Sequence, residues 1–234
     1  MSHALSCHYQ SGDTVRSRSV SERLLSGQLD IAPPPARLLA DWARELTQQQ
    51  PLAPGEVEPL PLARARMRWP DYPQTIHAVA DWTRGLGLGD LLGSAEVALM
   101  AARGARYHHD GEQYGGAAFC NLFLGEDNGQ DLHFPAIGQR LPLSRGTVII
   151  FDTCQPHAVI RRGSSGFDAA DFPPGLAASQ VFLSWELPIE DPHLASALGI
   201  RFDLDGPGAA RPDGGSVCLN GTPLTLCAAS GHWR

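Results

Sequence analysis

The sequence predicts an α+β fold, mainly β, in which N-terminal helices cover a barrel-like core of antiparallel strands. Three observations lead there. Between about residues 95 and 188, eight short apolar runs are each closed by Gly, Pro, Asn or Asp, at the regular spacing of a sandwich or barrel and not of βαβ units. Two stretches of helical periodicity come before them. Gly 25 and Pro 19 together make nearly a fifth of the 234 residues, which favours short elements and many turns over a helical bundle.

Composition narrows the function classes. A hydrophobic content of 43% suits a soluble globular chain able to bury a sizeable core. The net charge of −7 comes without an acidic tract, and the 18 basic residues are scattered, so no nucleic-acid partner is expected. No apolar run nears the ~20 residues of a membrane span, and "MSHALSCHYQSGDTVRSRS" lacks the basic-then-apolar order of a signal peptide. Cysteines 7, 120, 154, 218 and 227 are odd in number and lack CxxC spacing. Reduced thiols and a cytoplasmic location are the expectation.

Residues 1–35, polar and rich in Ser and Arg, read as an irregular, partly mobile arm. Pro33 to Pro35 suit a helix start, and "ARLLADWARELTQQQ" then places Leu38, Leu39, Trp42, Ala43 and Leu46 on one face. "PLAPGEVEPLPLA" reads as a proline-punctuated connection. "QTIHAVADWTRGLG" predicts a second helix with Ile76, Val79 and Ala80 inward and Gly85 as its stop. Trp42, Trp69 and Trp82 read as packing residues. The strand-like runs are "AEVALMAAR", "ARYHHD", "GAAFCNLFLG", "QDLHFP", "QRLPL", "GTVIIFD", "HAVIRR" and "SQVFLSWEL", and Asn220-Gly221 signals a hairpin near the C-terminus. The expected division is 1–94 arm and covering helices, 95–190 β core, and 191–234 C-terminal extension.

Within the core, "YHHDG" carries chemistry. Strand alternation turns His108 and Asp110 to one face and His109 to the other. His157, in "CQPHAV", opens a later strand 47 residues after Asp110, and the intervening β segments allow it to return beside the first. Two imidazoles and one carboxylate on one face of a metal make the 2-His-1-carboxylate arrangement of non-haem Fe(II) sites. The ordinary alternatives are a wet strand end at His108, a turn-former at Asp110 and a strand cap at His157. His109 becomes a ligand only if the register is off by one. His133 reads as a pocket-lining or core histidine in preference to a fourth ligand, and Cys154 as a small buried filler in preference to a redox or ligating thiol. Asn121, in an apolar strand, needs a hydrogen-bond partner if buried.

These segments resemble the Fe(II)- and 2-oxoglutarate-dependent dioxygenase superfamily, whose core is a double-stranded β-helix of the jelly-roll, cupin-like kind. The likeness spans residues 95–188, roughly 40% of the chain. "YHHDG" is similar to the family's H-x-D segment, "GQDLHFPAIGQRLPLSRGTVIIFD" to its middle, "PHAV" to its distal histidine strand, and "VFLSWEL" to its closing strand, with Trp185 in the aromatic place. The resemblance implies Fe(II) held by His108, Asp110 and His157. It also implies O₂ and 2-oxoglutarate as co-substrates, release of succinate and CO₂, and oxidation of a small molecule or amino-acid derivative. Hydroxylation is the default outcome, and desaturation or ring closure would use the same residues.

One position departs from the family pattern. The basic residue that usually holds the distal carboxylate, about ten residues past the distal histidine, is replaced by Ser179-Gln180 after a Gly/Pro/Asp-rich insertion. Arg161, of the same parity as His157, is the first replacement, followed by Arg106 and Arg140. The insertion, residues 163–178, reads as a lid. A cupin-like barrel acting as an isomerase or sensor without 2-oxoglutarate, and a non-enzymatic interaction module, stand as alternatives.

Overall fold

The computed structural model describes residues 5–49, 52–175, 178–204 and 217–234. The chain opens with a hairpin, β1 (Leu5–Ser11) and β2 (Thr14–Ser19), and a short β3 (Leu25–Gln28). Helix α1 (Ala36–Arg44) is followed by β4 (Val57–Leu60), α2 (Leu62–Arg66), α3 (Tyr72–Gly85) and α4 (Leu91–Ser94). The core strands are β5 (Val97–Ala102), β6 (Ala105–His108), β7 (Ala117–Phe123), β8 (Gln130–Phe134), β9 (Gln139–Pro142), β10 (Thr147–Asp152), β11 (His157–Arg161) and β12 (Gln180–Pro188). A one-turn α5 (Gly111–Tyr114) lies between β6 and β7. The chain closes with α6 (Pro192–Leu198), β13 (Val217–Leu219) and β14 (Thr222–Pro223).

The core strands pass back and forth between two sheets. One has the order β3-β10-β7-β12-β5-β4 and the other β6-β11-β8-β9, with every named pairing antiparallel. The eight strands from β5 to β12 thus wind as a double-stranded β-helix. All eight expected runs form strands. Between the sheets, Phe123, Leu132, Phe134, Ile149, Phe151, Val159 and Phe182 make one apolar cluster. The outer face of the six-stranded sheet buries Leu99, Leu122, Leu183 and Trp185 against Leu38, Trp42 and Val79 of the helices. Each such side chain contributes about 1.5–3 kcal/mol of burial. The helices therefore cover the sheet as their periodicity predicts, although α3 begins at Tyr72, two residues early, and also turns Thr75 and Thr83 inward.

Two expectations fail here. The arm is not irregular: β1 and β2 turn at Gly12 (φ +57°) and join β13 and β14 in a further four-stranded sheet, while β3 pairs with β10. Its polar residues disguised a strand, because Arg16 and Arg18 alternate with Val15 and Ser17 and the buried polar groups find partners within the fold. "GEVEPLPL" also contains β4, an edge strand, where Pro59 is tolerated without a ladder donor. The Asn220-Gly221 hairpin forms, with φ of 51° and 79° at the two turn residues.

Candidate metal centre

His108 ends β6 and His157 opens β11, directly opposite each other in the antiparallel register. Their ring centroids lie 4.3 Å apart. Asp110 follows β6 as the residue capping α5, and its amide donates to the Thr153 carbonyl at 2.8 Å. Its carboxylate oxygens stand 3.7 Å from His108 Nε2 and 3.6 Å from His157 Nε2. Among the described residues these three form the one His/Cys/Asp/Glu group arranged to hold an ion, with ligand atoms all within 4.8 Å of one another.

The donor chemistry suits a divalent transition metal. His108 Nδ1 lies 2.7 Å from the Arg106 carbonyl, and His157 Nδ1 lies 2.9 Å from that of Gln155. A carbonyl only accepts, so each ring carries its proton on Nδ1 and keeps the Nε2 lone pair free for a metal. Burial, and after it the neighbouring His108, hold His157 well below the ordinary imidazole range. Burial raises the Asp110 carboxyl, with the two adjacent histidines opposing it. A cation between them favours the ionised carboxylate.

A buried ion pair fixes the loops that bear the ligands. Asp152, at the end of β10, accepts from Arg18 Nη1 (2.8 Å) and Nη2 (2.7 Å) and from the amides of Ser21 (2.7 Å) and Cys154 (2.9 Å). Arg18 Nε donates to the carbonyl of Gly115, just past α5. One guanidinium thus ties the turn leading to His157 to the helix following Asp110. Gly111 completes the junction, because a Cβ there would meet Cys154 Sγ at 2.6 Å.

The triad opens into a cavity of about 370 Å³ between the sheets. Phe123, Leu132, Phe151, Val159 and Phe182 form its interior, all buried. Asn121 and Ser184, cross-strand neighbours on β7 and β12, are its neutral polar groups beside Tyr114. Asn121 Oδ1 is buried without a hydrogen-bond partner. Glu96 and Glu186 line the exposed side.

His108, Asp110 and His157 are brought together as expected, but the alternation argument is corrected at Asp110. The strand ends at His108, and Asp110 reaches the site from the α5 turn. His109 turns away, its ring 5.0 Å from that of Trp233. His133 faces outward, 2.6 Å from the Tyr107 hydroxyl, and lines no part of the cavity. Cys154 is a buried filler. Trp185 packs under the helices, whereas Ser184 and Glu186 face the cavity. Period-two alternation along "FLSWE" was the available signal for those two.

The carboxylate anchor expected at Arg161 is not in the cavity. It is the last residue of β11, exposed, and 3.4 Å from Asp171. Arg106 fails for a different reason. Between the pairs His157–His108 and Val159–Ala105 a bulge sets two residues of β6 against one of β11, and Arg106 swings outward over Phe167. Arg140 donates to the Ser164 carbonyl at the surface. The described part of the insertion expected as a lid lines no part of the cavity. Phe167 and Phe172 stack at 5.4 Å, and Arg103 holds the Phe172 carbonyl. The residues present thus fit a metal ion, but among the described residues no arginine or lysine lines the cavity.

Strand order and triad together define a double-stranded β-helix protein with a 2-His-1-carboxylate constellation, as in the oxygenases its sequence resembles. No family model and no curated protein matches the chain. Among solved structures, a Pseudomonas putida prolyl-4-hydroxylase is similar at a TM-score of 0.41 and 17% identity, over 70% of this chain and 92% of that one. A viral collagen prolyl hydroxylase from Paramecium Bursaria Chlorella virus-1, in a 2OG complex, gives 0.41 and 13%, over 70% and 94%. SnoN, an alpha ketoglutarate dependent epimerase from nogalamycin biosynthesis, gives 0.34 and 14%, over 88% and 92%. Among the described residues no helix is long and apolar enough to cross a membrane.

Proposed function

We propose that the protein is a mononuclear non-haem Fe(II) oxygenase that oxidises a small molecule, by default hydroxylating it, at the expense of O₂ and a 2-oxo acid. The observation that carries this reading is the triad: two Nε2 atoms and one carboxylate converge while both Nδ1 atoms are occupied by carbonyls. Three protein ligands leave open positions on a six-coordinate ion. Fe(II), when bound, would supply the redox centre at which O₂ is activated toward a C–H bond. 2-Oxoglutarate is the co-substrate implied by the sequence resemblance.

The chain's own residues orient and shield. His108, Asp110 and His157 would hold the ion at one wall of the cavity. The phenyl rings of Phe119, Phe123, Phe151 and Phe182 exclude water around it, which confines oxidation to the bound substrate. Asn121 and Ser184 offer hydrogen bonds that fix the orientation of a bound molecule. The absence of a cation from the described cavity lining favours a second reading, a cupin-like isomerase or sensor that binds metal without a 2-oxo acid. Oxygen uptake and CO₂ release from a carboxyl-labelled 2-oxo acid, with Fe(II) and ascorbate, separate the two. Metal-dependent turnover supports the oxygenase; metal binding without turnover across a panel of 2-oxo acids supports the other.

A further inference from the structure

From the cavity's charge and lining, we infer that the 2-oxo acid used by this protein has an uncharged, apolar tail. This rests on the oxygenase reading above and specifies its co-substrate. The described lining contains no arginine, and the chain has no lysine at all. The carboxylates of the described lining are Glu96, Asp110 and Glu186. An Fe(II) ion with the Asp110 carboxylate leaves a single positive charge, which the carboxylate next to the keto group balances. A second carboxylate further inside would be buried unpaired, with acidic residues at the mouth.

The surface that a tail would meet is apolar. Beyond the triad lie Phe123, Leu132, Val159 and Phe182, each at most 7% exposed. On the closing strand, where the resemblance implies a basic residue, Ser179 and Gln180 stand instead. Gln180 shares the inward face of Phe182 and Ser184, is fully buried, and gives its Nε2 to Asn128 Oδ1 at 2.7 Å. Gln180 does not line the cavity, whereas Phe123 and Phe182, whose rings pack at 5.3 Å, do. Asn121, 8% exposed and with an unpartnered Oδ1, is a neutral group in this interior, suited to orienting a polar atom and not to neutralising a charge.

The overall conversion balances. The bond between C1 and C2 of the 2-oxo acid breaks, C1 leaves as CO₂, and one oxygen of O₂ enters the new carboxylate. The other oxygen bonds to the substrate carbon as its C–H bond breaks, and the hydrogen ends on that oxygen as the O–H. The 2-oxo acid and the C–H bond are each oxidised by two electrons, and O₂ is reduced by four.

Anaerobic calorimetry on the full chain loaded with Mn(II) tests this, with 4-methyl-2-oxopentanoate and 2-oxoglutarate as the two probes. The expected result is metal-dependent binding of 4-methyl-2-oxopentanoate about tenfold or more tighter than 2-oxoglutarate, since an unpaired buried carboxylate forgoes at least one charge-assisted hydrogen bond. Equal or tighter binding of 2-oxoglutarate overturns the inference and leaves the oxygenase reading standing. Mn(II) binding with neither 2-oxo acid bound overturns both.

Discussion

Arg18 and Asp152 form an ion pair with both side chains fully buried, and they join the two loops that carry the metal-binding candidates. Neither residue lines the cavity. Removing one partner strands the other in the interior, so Arg18→Met is expected to cost about 3–5 kcal/mol of stability. It is also expected to weaken metal binding about ten- to a hundredfold, as loss of supporting contacts does at such sites. Arg18→Lys will not restore either, because one ammonium cannot serve both Asp152 oxygens and the Gly115 carbonyl. Urea denaturation and metal titration of the folded variants read the two effects separately.

The close approach of Gly111 to Cys154 makes a second test. Gly111→Ala places a methyl 2.6 Å from Cys154 Sγ and is expected to destabilise by about 1–3 kcal/mol. Cys154→Ala removes the obstructing sulfur, so the double variant should lose less than the sum of the singles. A double-mutant cycle on thermal unfolding measures this coupling. Additive losses would show that the junction does not depend on this contact.

Neighbouring histidines should behave oppositely. His108→Ala and His157→Ala each remove one arm of the proposed metal site and are expected to abolish stoichiometric metal binding. His109→Ala, one residue from the first, should retain it, because that ring lies beside Trp233. Metal analysis after dialysis distinguishes the three variants.

The pH dependence follows from two opposite shifts. His157 is held below its ordinary value, so the stability of its neutral form is present above about pH 6.5 and is lost as pH falls through its lowered folded value. Asp110 is raised, so its protonated form adds stability as pH falls through the raised value toward 3.8. A bound metal requires Asp110 ionised and His157 neutral. The gap in melting temperature between metal-loaded and metal-free protein should therefore narrow on acidification, as protons take the raised Asp110 carboxyl. Paired melting curves across the acid range test this, and a constant gap would contradict it.

Much of this was legible in the sequence. The eight core strands followed from apolar runs closed by turn residues, and "HHD" with "PHAV" marked the triad. The rest depended on local departures from regular structure. Asp110 lies past the strand end, so its placement owes nothing to alternation. A bulge turned Arg106 out, and Arg161 stands where its strand stops. Alternation predicts direction only within an unbroken ladder that continues on both sides; Arg106 sits at a bulge and Arg161 is the last rung of its ladder. The hairpin of β1 and β2 was hidden because its burial is polar: Arg18 is fully buried only because Asp152, 134 residues later, receives it. No local pattern carries that pairing.

X-ray absorption on the Fe(II)-loaded protein, in the wild type and in His157→Ala, addresses the central claim most directly. The account predicts one iron per chain with two imidazole nitrogens in its coordination shell, and loss of that iron in the variant. An iron shell without imidazole, or unchanged iron binding in His157→Ala, would contradict it.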